Sequence, residues 1–307
     1  MNTLNRLMVG LDLSDMDVTL IKYAAFMCRQ LGVSKVYFIH VEKSLDLPEE
    51  LLQGLEPETA PTDEIMKRRI SEKVQEAFQD NKSTEIEVLV REGTPLKELL
   101  QWSKIKQIDL MLVGRKLRLH SSGVLAQKLL RAGRLSMLFV PEMFAPILRR
   151  IVISIDFSDY SRIALERLLE SIVKPSGAEL ICLHVYEVPT GYRTLGMSYE
   201  AFDERMRGFA AKKYEKLLQQ FPVLQKVATL KLVRQEHNVN IGELIVLEAK
   251  RSGTDLLVIG AKGLTAAAYF VLGSVTEKVL RHDMDIPLAV FKQKDDDVGF
   301  LEALLTP

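Results

Sequence analysis

The chain has 307 residues, 47% of them hydrophobic and 27% charged, and 41 Lys+Arg balance 41 Asp+Glu to a formal net charge of zero at pH 7. That length and apolar content predict two domains of about 150 residues and exclude a disordered chain. The charge balance, with no basic tail or stripe, excludes an electrostatic binder of nucleic acid or anionic lipid.

No apolar run approaches membrane-spanning length, and Met1–Asp12 runs straight into a strand without the features of a leader, so the protein reads as cytoplasmic. In chain order, Leu7–Leu11 is a first strand closed by Asp12, and Ser14 stands at the N-cap position of the helix that follows. Val36–Val41 is a second strand carrying His40, and Met66, Ile70, Val74 and Phe78 recur every four residues on an amphipathic helix. Leu110–Val113 and Leu135–Val140 are further near-continuous apolar runs, the pattern of parallel strands covered on both faces. The second half begins with a strand ending at Asp156, with Ser158 at an N-cap position. It places Phe202, Met206, Phe209 and Leu217 on one apolar helix face and ends in the strand Ile286–Phe291. The segments 45–63 and 187–198 are the longest irregular connections, and the joint between domains falls near Pro141–Arg149. After a charged exit over 292–297, Phe300, Leu301, Leu304 and Leu305 form a short tail that docks on the protein's own surface. Cys28 and Cys182 lie among apolar residues and read as buried thiols.

The two halves repeat. Leu7–Ser14 matches Ile151–Ser158 and Val36–Val41 matches Leu180–Val185, both at an offset of 144 residues; Asp109–Gly114 matches Asp255–Gly260 at 146. Lys128–Arg131 matches Lys278–Arg281 at 150, so the first half lacks four residues between its fourth strand and its last helix. Strands alternate with helices in each half, which predicts an α/β fold of two tandem open, doubly wound, parallel five-stranded sheets with ligands beyond the carboxyl ends of the strands. The expected domains are 1–145 and 146–292, followed by a tail over 293–307.

The missing residues fall in the most informative stretch. Gly260-Ala-Lys-Gly263, nine residues, then Gly273-Ser274 follows a strand and opens a helix. Glycines at that spacing let backbone approach a phosphate, and the helix N-terminus beyond receives its charge. Lys262 can add a point charge. Ser274-Val-Thr-Glu277 is an S-x-x-E string, so Ser274 either caps the helix or offers its hydroxyl to an anion. The first-half copy is Gly114-Arg-Lys-Leu117, five residues, then Gly123-Val124: Leu117 replaces a glycine and Val124 the serine. Phosphate binding there is expected to be weak or absent, and Arg115, Lys116 and Arg118 read as solvated loop charges. Apolar Leu117 and Val124 leave room for a lipid-like or small-acid ligand instead. Asp12 and Asp156 either contact an adenine amino group or ribose hydroxyl, or cap the next helix; the glycine loop tips Asp156 toward ligand. His40 and His184 have no acidic or cysteine partner at metal-ligand spacing and read as structural, and no metal site is expected. With no G-x-S-x-G elbow, H-E-x-x-H or P-loop, no catalytic residues are identifiable.

On these residues the chain resembles a tandem universal stress protein, two such domains in one polypeptide covering nearly all of residues 1–292. The resemblance is carried by the starts at Asp12 and Asp156, the His-Val ends of the second strands, Asp255–Gly263 and Gly273–His282. It implies an adenine-nucleotide α-hydrolase-like fold and binding of ATP or a related adenine nucleotide, with Mg²⁺ as an optional companion. It further implies Asp156 and Val185 beside adenine and ribose, and Gly260, Lys262, Gly263, Gly273, Ser274 and Val275 around the phosphates. It also implies domains paired about a pseudo-twofold axis through Ser136–Val140 and Ile286–Phe291, with a homodimer as a further expectation; protein partners are not named by the sequence. Leu264–Leu272 is more apolar than in many members, which points to modest phosphate affinity. The expected function is stress-response regulation through one nucleotide site in the second half. The alternative is a nucleotide-independent interaction or scaffold protein; hydrolysis beyond weak ATP turnover has no residue set behind it.

Overall fold

The computed structural model describes residues 4–45, 61–115, 124–132, 135–142, 145–236, 239–262, 272–282 and 285–292. The chain divides into two compact units between Pro146 and Ile147.

The described elements of the first unit are β1 (Arg6–Leu11), α1 (Met16–Leu31), β2 (Lys35–Glu42), α2 (Thr62–Ala77), β3 (Glu85–Glu92), α3 (Pro95–Ile105), β4 (Leu110–Arg115), α4 (Val124–Ala132) and β5 (Ser136–Pro141). Its strands lie in the order β3-β2-β1-β4-β5, parallel throughout. The second unit has β6 (Arg150–Ser154), α5 (Asp159–Leu168), β7 (Glu179–Glu187), α6 (Tyr199–Gln220), α7 (Leu224–Val227), β8 (Ala228–Gln235), α8 (Ile241–Arg251), β9 (Leu256–Gly260), α9 (Ser274–Arg281) and β10 (Leu288–Phe291). It has the same parallel order, β8-β7-β6-β9-β10. Each is the open, doubly wound sheet the alternating pattern predicts.

The physical reason is burial on both faces. In the middle of the central strands consecutive residues are all sealed: Leu7, Met8 and Val9 of β1 are fully buried, as are Leu110, Met111 and Leu112 of β4, and Ile151, Val152 and Ile153 of β6 are at most 1% exposed. A strand enclosed on both faces cannot alternate, hence the continuous apolar runs. The outer strands differ. β3 is half-buried or exposed along its length, and charges line it: Lys35 pairs with Glu85 and Glu87, and Lys106 with Glu87. Such charges discourage pairing with another edge.

Two sequence expectations shift in detail. α2 buries Ile70 and Val74, with Phe78 closing its end, as expected. α6 instead buries Ala210, Tyr214 and Leu217, while Phe209 is 45% exposed beside Arg205. The buried stripe runs at i, i+4, i+7, and small Ala210 and amphipathic Tyr214 fill positions where the apolar pattern suggests larger hydrophobes. In α1 the N-cap is Asp15, not Ser14, whereas Ser158 does cap α5, accepting from the Ser161 N–H. The segment 46–60 and the tail over 293–307 lie outside the described residues.

Candidate functional site

The two units build the loop after their first strand in the same way. Leu13 (φ 59°) and Phe157 (φ 63°) both take the left-handed conformation, which is costly for a residue with a Cβ and persists only where neighbours enforce it. They are enforced by the preceding aspartates. Asp12 Oδ1 accepts from Ser14 N–H (3.1 Å) and Oγ (2.5 Å); Asp156 Oδ1 accepts from Ser158 N–H (3.0 Å) and Oγ (2.5 Å). Each aspartate thus uses one oxygen to close a turn.

The matched histidines hold the same loops from the neighbouring strand. His40 Nδ1 donates to the Leu11 carbonyl (3.1 Å) and His184 Nδ1 to the Ile155 carbonyl (2.8 Å). The His184 ring also packs on Phe157, with centroids 4.6 Å apart. Burial pushes the His184 pKa down, and Lys213 adds to the effect; the bond to Ile155 opposes it. In the first unit the loop has one more anchor: buried Asp17 accepts the N–H groups of Asp12 (3.1 Å) and Leu13 (2.9 Å). Burial raises the Asp17 pKa, and those two bonds pull it back only in part. Its counterpart at offset 144 is Ser161, which cannot reproduce that charge.

The described residues of the expected nucleotide set in the second unit lie toward the carboxyl ends of β6, β7 and β9 and at the start of α9. Ser154 pairs with Leu183 and Ile153 with Val258, so continuing the register brings Asp156 level with Val185 and one step past Gly260. A Cβ on Gly260 would lie 3.3 Å from the Lys262 carbonyl oxygen and 3.4 Å from that of Tyr160, a contact tight enough to favour glycine. The two ends of the glycine string are tied together. Gly273 N–H donates to the Ala261 carbonyl and Thr276 Oγ1 to the Gly260 carbonyl, both at 2.9 Å. Gly263 and residues 264–271 lie outside the described residues.

Helix α9 starts differently from the capping box. Gly273 is the N-cap and has no side chain to bond with, and its carbonyl accepts from Glu277 N–H at 2.9 Å. Ser274 is therefore the first helical residue, and its side chain is exposed; Val275 is half-buried. First-turn N–H groups have no intrahelical acceptor and carry the positive end of the helix dipole. Lys262 is only 7% exposed, and its ammonium stands 5.2 Å from the centre of the Tyr160 ring.

Two cavities bear on these residues. In the second unit one of about 280 Å³ lies beside Asp156 and Phe157, between α5 and α6, and is lined also by Arg162, Lys213 and Lys216. Val185, Gly260, Gly273 and Ser274 are not among its walls. In the first unit a cavity of about 430 Å³ is lined by Asp12, Val41 and Gly114, the repeat counterparts of Asp156, Val185 and Gly260. The sequence leaves room for a pocket in this half at Leu117 and Val124; Val124 is not among the lining residues, and Leu117 lies outside the described residues. Among the described residues no three of His, Cys, Asp and Glu converge as a metal site, and no helix is long and apolar enough to cross a membrane.

Comparison with known proteins places these features among relatives. The model of the universal stress protein family matches residues 3–140 and again 148–292. Universal stress protein YxiE of Bacillus subtilis (strain 168) is 32% identical over 137 residues, covering 42% of this chain and 90% of that protein. Two solved structures share the fold over most of the chain. One is a universal stress protein from Archaeoglobus fulgidus DSM 4304 (TM-score 0.65, 17% identity, 94% of this chain and 98% of that one). The other is the functionally unknown protein PA1789 from Pseudomonas aeruginosa PAO1 (TM-score 0.70, 13% identity, 98% and 97%).

Proposed function

Since the chain belongs to the universal stress protein family, we propose that its second unit binds ATP or a related adenine nucleotide and that the protein acts through this ligand in stress-response regulation in the cytoplasm. The observation that carries the reading is the closure of the glycine string. The Gly273–Ala261 and Thr276–Gly260 hydrogen bonds hold the end of β9 against the mouth of α9, while the exposed Ser274 side chain is left uncommitted to capping. Backbone N–H groups at a helix N-terminus beside a glycine loop are a natural receptor for phosphate.

Gly260, Lys262, Gly263, Gly273, Ser274 and Val275 would surround the phosphates, with Asp156 and Val185 beside the adenine and ribose. Lys262, held over Tyr160, would add positive charge from inside the loop. A bound Mg²⁺ would reach the site with the phosphates. We read the nucleotide as a regulatory ligand: the Asp156 carboxylate is engaged in the turn to Ser158 and His184 with the Ile155 carbonyl.

Calorimetry with ATP on the whole protein tests the proposal. The expected result is binding of one nucleotide per chain, lost in Gly263→Val. Absence of heat with the unaltered protein, or a variant that binds equally well, overturns it and favours a nucleotide-independent interaction protein.

A further inference from the structure

The first helix of each unit meets the loop before it with a different side chain. In the first unit Asp17 accepts the N–H groups of Asp12 and Leu13, at 3.1 and 2.9 Å, and Lys73 of α2 favours its ionised form. In the second unit the counterpart of Asp17, at offset 144, is Ser161. Leu13 and Phe157 share one left-handed conformation, at φ 59° and 63°, so the Phe157 N–H is directed toward residue 161 as that of Leu13 is toward Asp17. Ser161 Oγ does not meet it and instead donates to the Ser158 carbonyl at 3.0 Å. Among the described residues the Phe157 N–H has no acceptor.

Space is left where that carboxylate is missing. The second-unit cavity of about 280 Å³ is lined from within the stretches 155–165 and 213–220, and both are described throughout. Its apolar walls are Ile155, Leu165 and Leu217, all buried, together with Phe157. Lys213 and Lys216, exposed on α6, stand at its rim, with the Lys213 ammonium 5.8 Å from the centre of the Phe157 ring. The C-caps Phe78 and Phe221 correspond at offset 143, which makes Lys216 the counterpart of Lys73. Among the described residues neither Lys213 nor Lys216 has a carboxylate partner. The two acids of the lining are engaged elsewhere: Asp159 pairs with Arg162 at 2.9 Å, and Asp156 Oδ1 closes the turn to Ser158. The first unit thus holds a carboxylate, a backbone donor and a lysine together, and the second keeps the donor and the lysine without the carboxylate.

We propose that this cavity binds a small organic carboxylate. Its head takes the place that Asp17 fills in the first unit, accepting the Phe157 N–H beside Lys213 and Lys216, and its apolar body lies against Ile155, Leu165 and Leu217. A backbone N–H bonded to an ionised oxygen makes one of the stronger hydrogen bonds, and apolar walls with a few placed polar groups are the make-up of small-molecule sites. The volume, just under the usual range for such sites, keeps the body small. Of the residues named for the nucleotide only Asp156 lines this cavity, and neither reading requires the other.

Amide NMR of the full-length protein, titrated with benzoate and with benzamide as its neutral isostere, tests this. Benzoate should move the Phe157 amide proton downfield and saturate, and benzamide should bind at least about tenfold more weakly. Lys213→Gln combined with Lys216→Gln should weaken benzoate at least about threefold, because each exposed charge contributes little by itself. Ser161→Asp returns the first-unit carboxylate to the second. It should shift the Phe157 amide downfield with no benzoate present and weaken benzoate at least about tenfold. The proposal is overturned if benzoate leaves the Phe157 amide unmoved, if benzamide binds as tightly, or if either folded variant binds benzoate as tightly as the unaltered protein.

Discussion

Met16 Cγ occupies the space, 2.5 Å away, next to where a Cβ on Gly114 would project. In the first unit, glycine near the end of β4 is thus demanded by packing, whatever its repeat partner Gly260 does for a ligand. Gly114→Ala is expected to destabilise the first unit by about 1–3 kcal/mol through overpacking. Adding Met16→Ala should recover part of that loss, because the two positions share one contact. Denaturant unfolding of both single variants and the double variant measures the coupling, and strict additivity would contradict the contact.

Ser274 separates a ligand role from a structural one. Because Gly273 is the cap and the Ser274 side chain is exposed, Ser274→Ala should leave stability within about 0.5 kcal/mol of the original. The same change should weaken ATP at least about tenfold, as expected for the loss of a hydrogen bond to a charged group. Thermal melts and calorimetry on one preparation read both. A loss of stability with unchanged affinity would return Ser274 to a capping role.

Thr276 acts one turn further in. Its side chain is buried and its hydroxyl joins α9 to the Gly260 carbonyl. Thr276→Val keeps the shape but leaves that carbonyl without its donor, at a cost of about 1–3 kcal/mol. Thr276→Ser should keep most of the bond. If the glycine string is a nucleotide site, ATP affinity should fall in Thr276→Val and survive in Thr276→Ser.

His184 makes the second unit sensitive to acid. Its pKa in the fold lies below the ordinary 6.5 because burial disfavours the charged ring. As pH falls through that ordinary value, the unfolded chain takes up the proton first. The contribution of His184 is therefore fully present above it and is lost as pH drops toward the folded value. His184→Gln, which can still donate to the Ile155 carbonyl, should lower stability less between pH 7 and pH 5 than the unaltered protein does. Equal slopes for the two proteins would refute this.

Cys28 and Cys182 should be silent in the native state. Burial pushes each thiol up to about 12, with Thr84 and Tyr214 as their respective hydrogen-bonding neighbours. At pH 8 a maleimide should label neither on the timescale on which it labels both in denaturant. Prompt labelling of the folded protein would show that one of these sites opens.

How much could be read without coordinates depended on the range of the interactions involved. The parallel sheet was legible because Leu7–Leu11 and Ile151–Ile155 must be covered on both faces, and the repeat then required both halves to follow one plan. The buried face of α6 was legible only at Leu217: Phe202, Met206 and Phe209 satisfy the same helical pattern, yet Ala210 and Tyr214 are sealed in their place. The start of α9 shows the same limit. The S-x-x-E string allows Ser274 either to cap the helix or to meet an anion, and in the fold the cap is Gly273, whose N–H is bonded to the Ala261 carbonyl.

By itself, the sequence determined the doubled fold, the family and the asymmetry between Gly260–Ser274 and its shortened copy, because apolar periodicity and glycine spacing are properties of consecutive residues. Only the tertiary structure decided what those residues face. It turned Asp12 and Asp156 into turn-closing acceptors, set Lys262 over Tyr160, and enclosed a cavity beside Met16. Each of these depends on side chains far apart in the chain meeting at one sheet edge, and no local pattern records that distance.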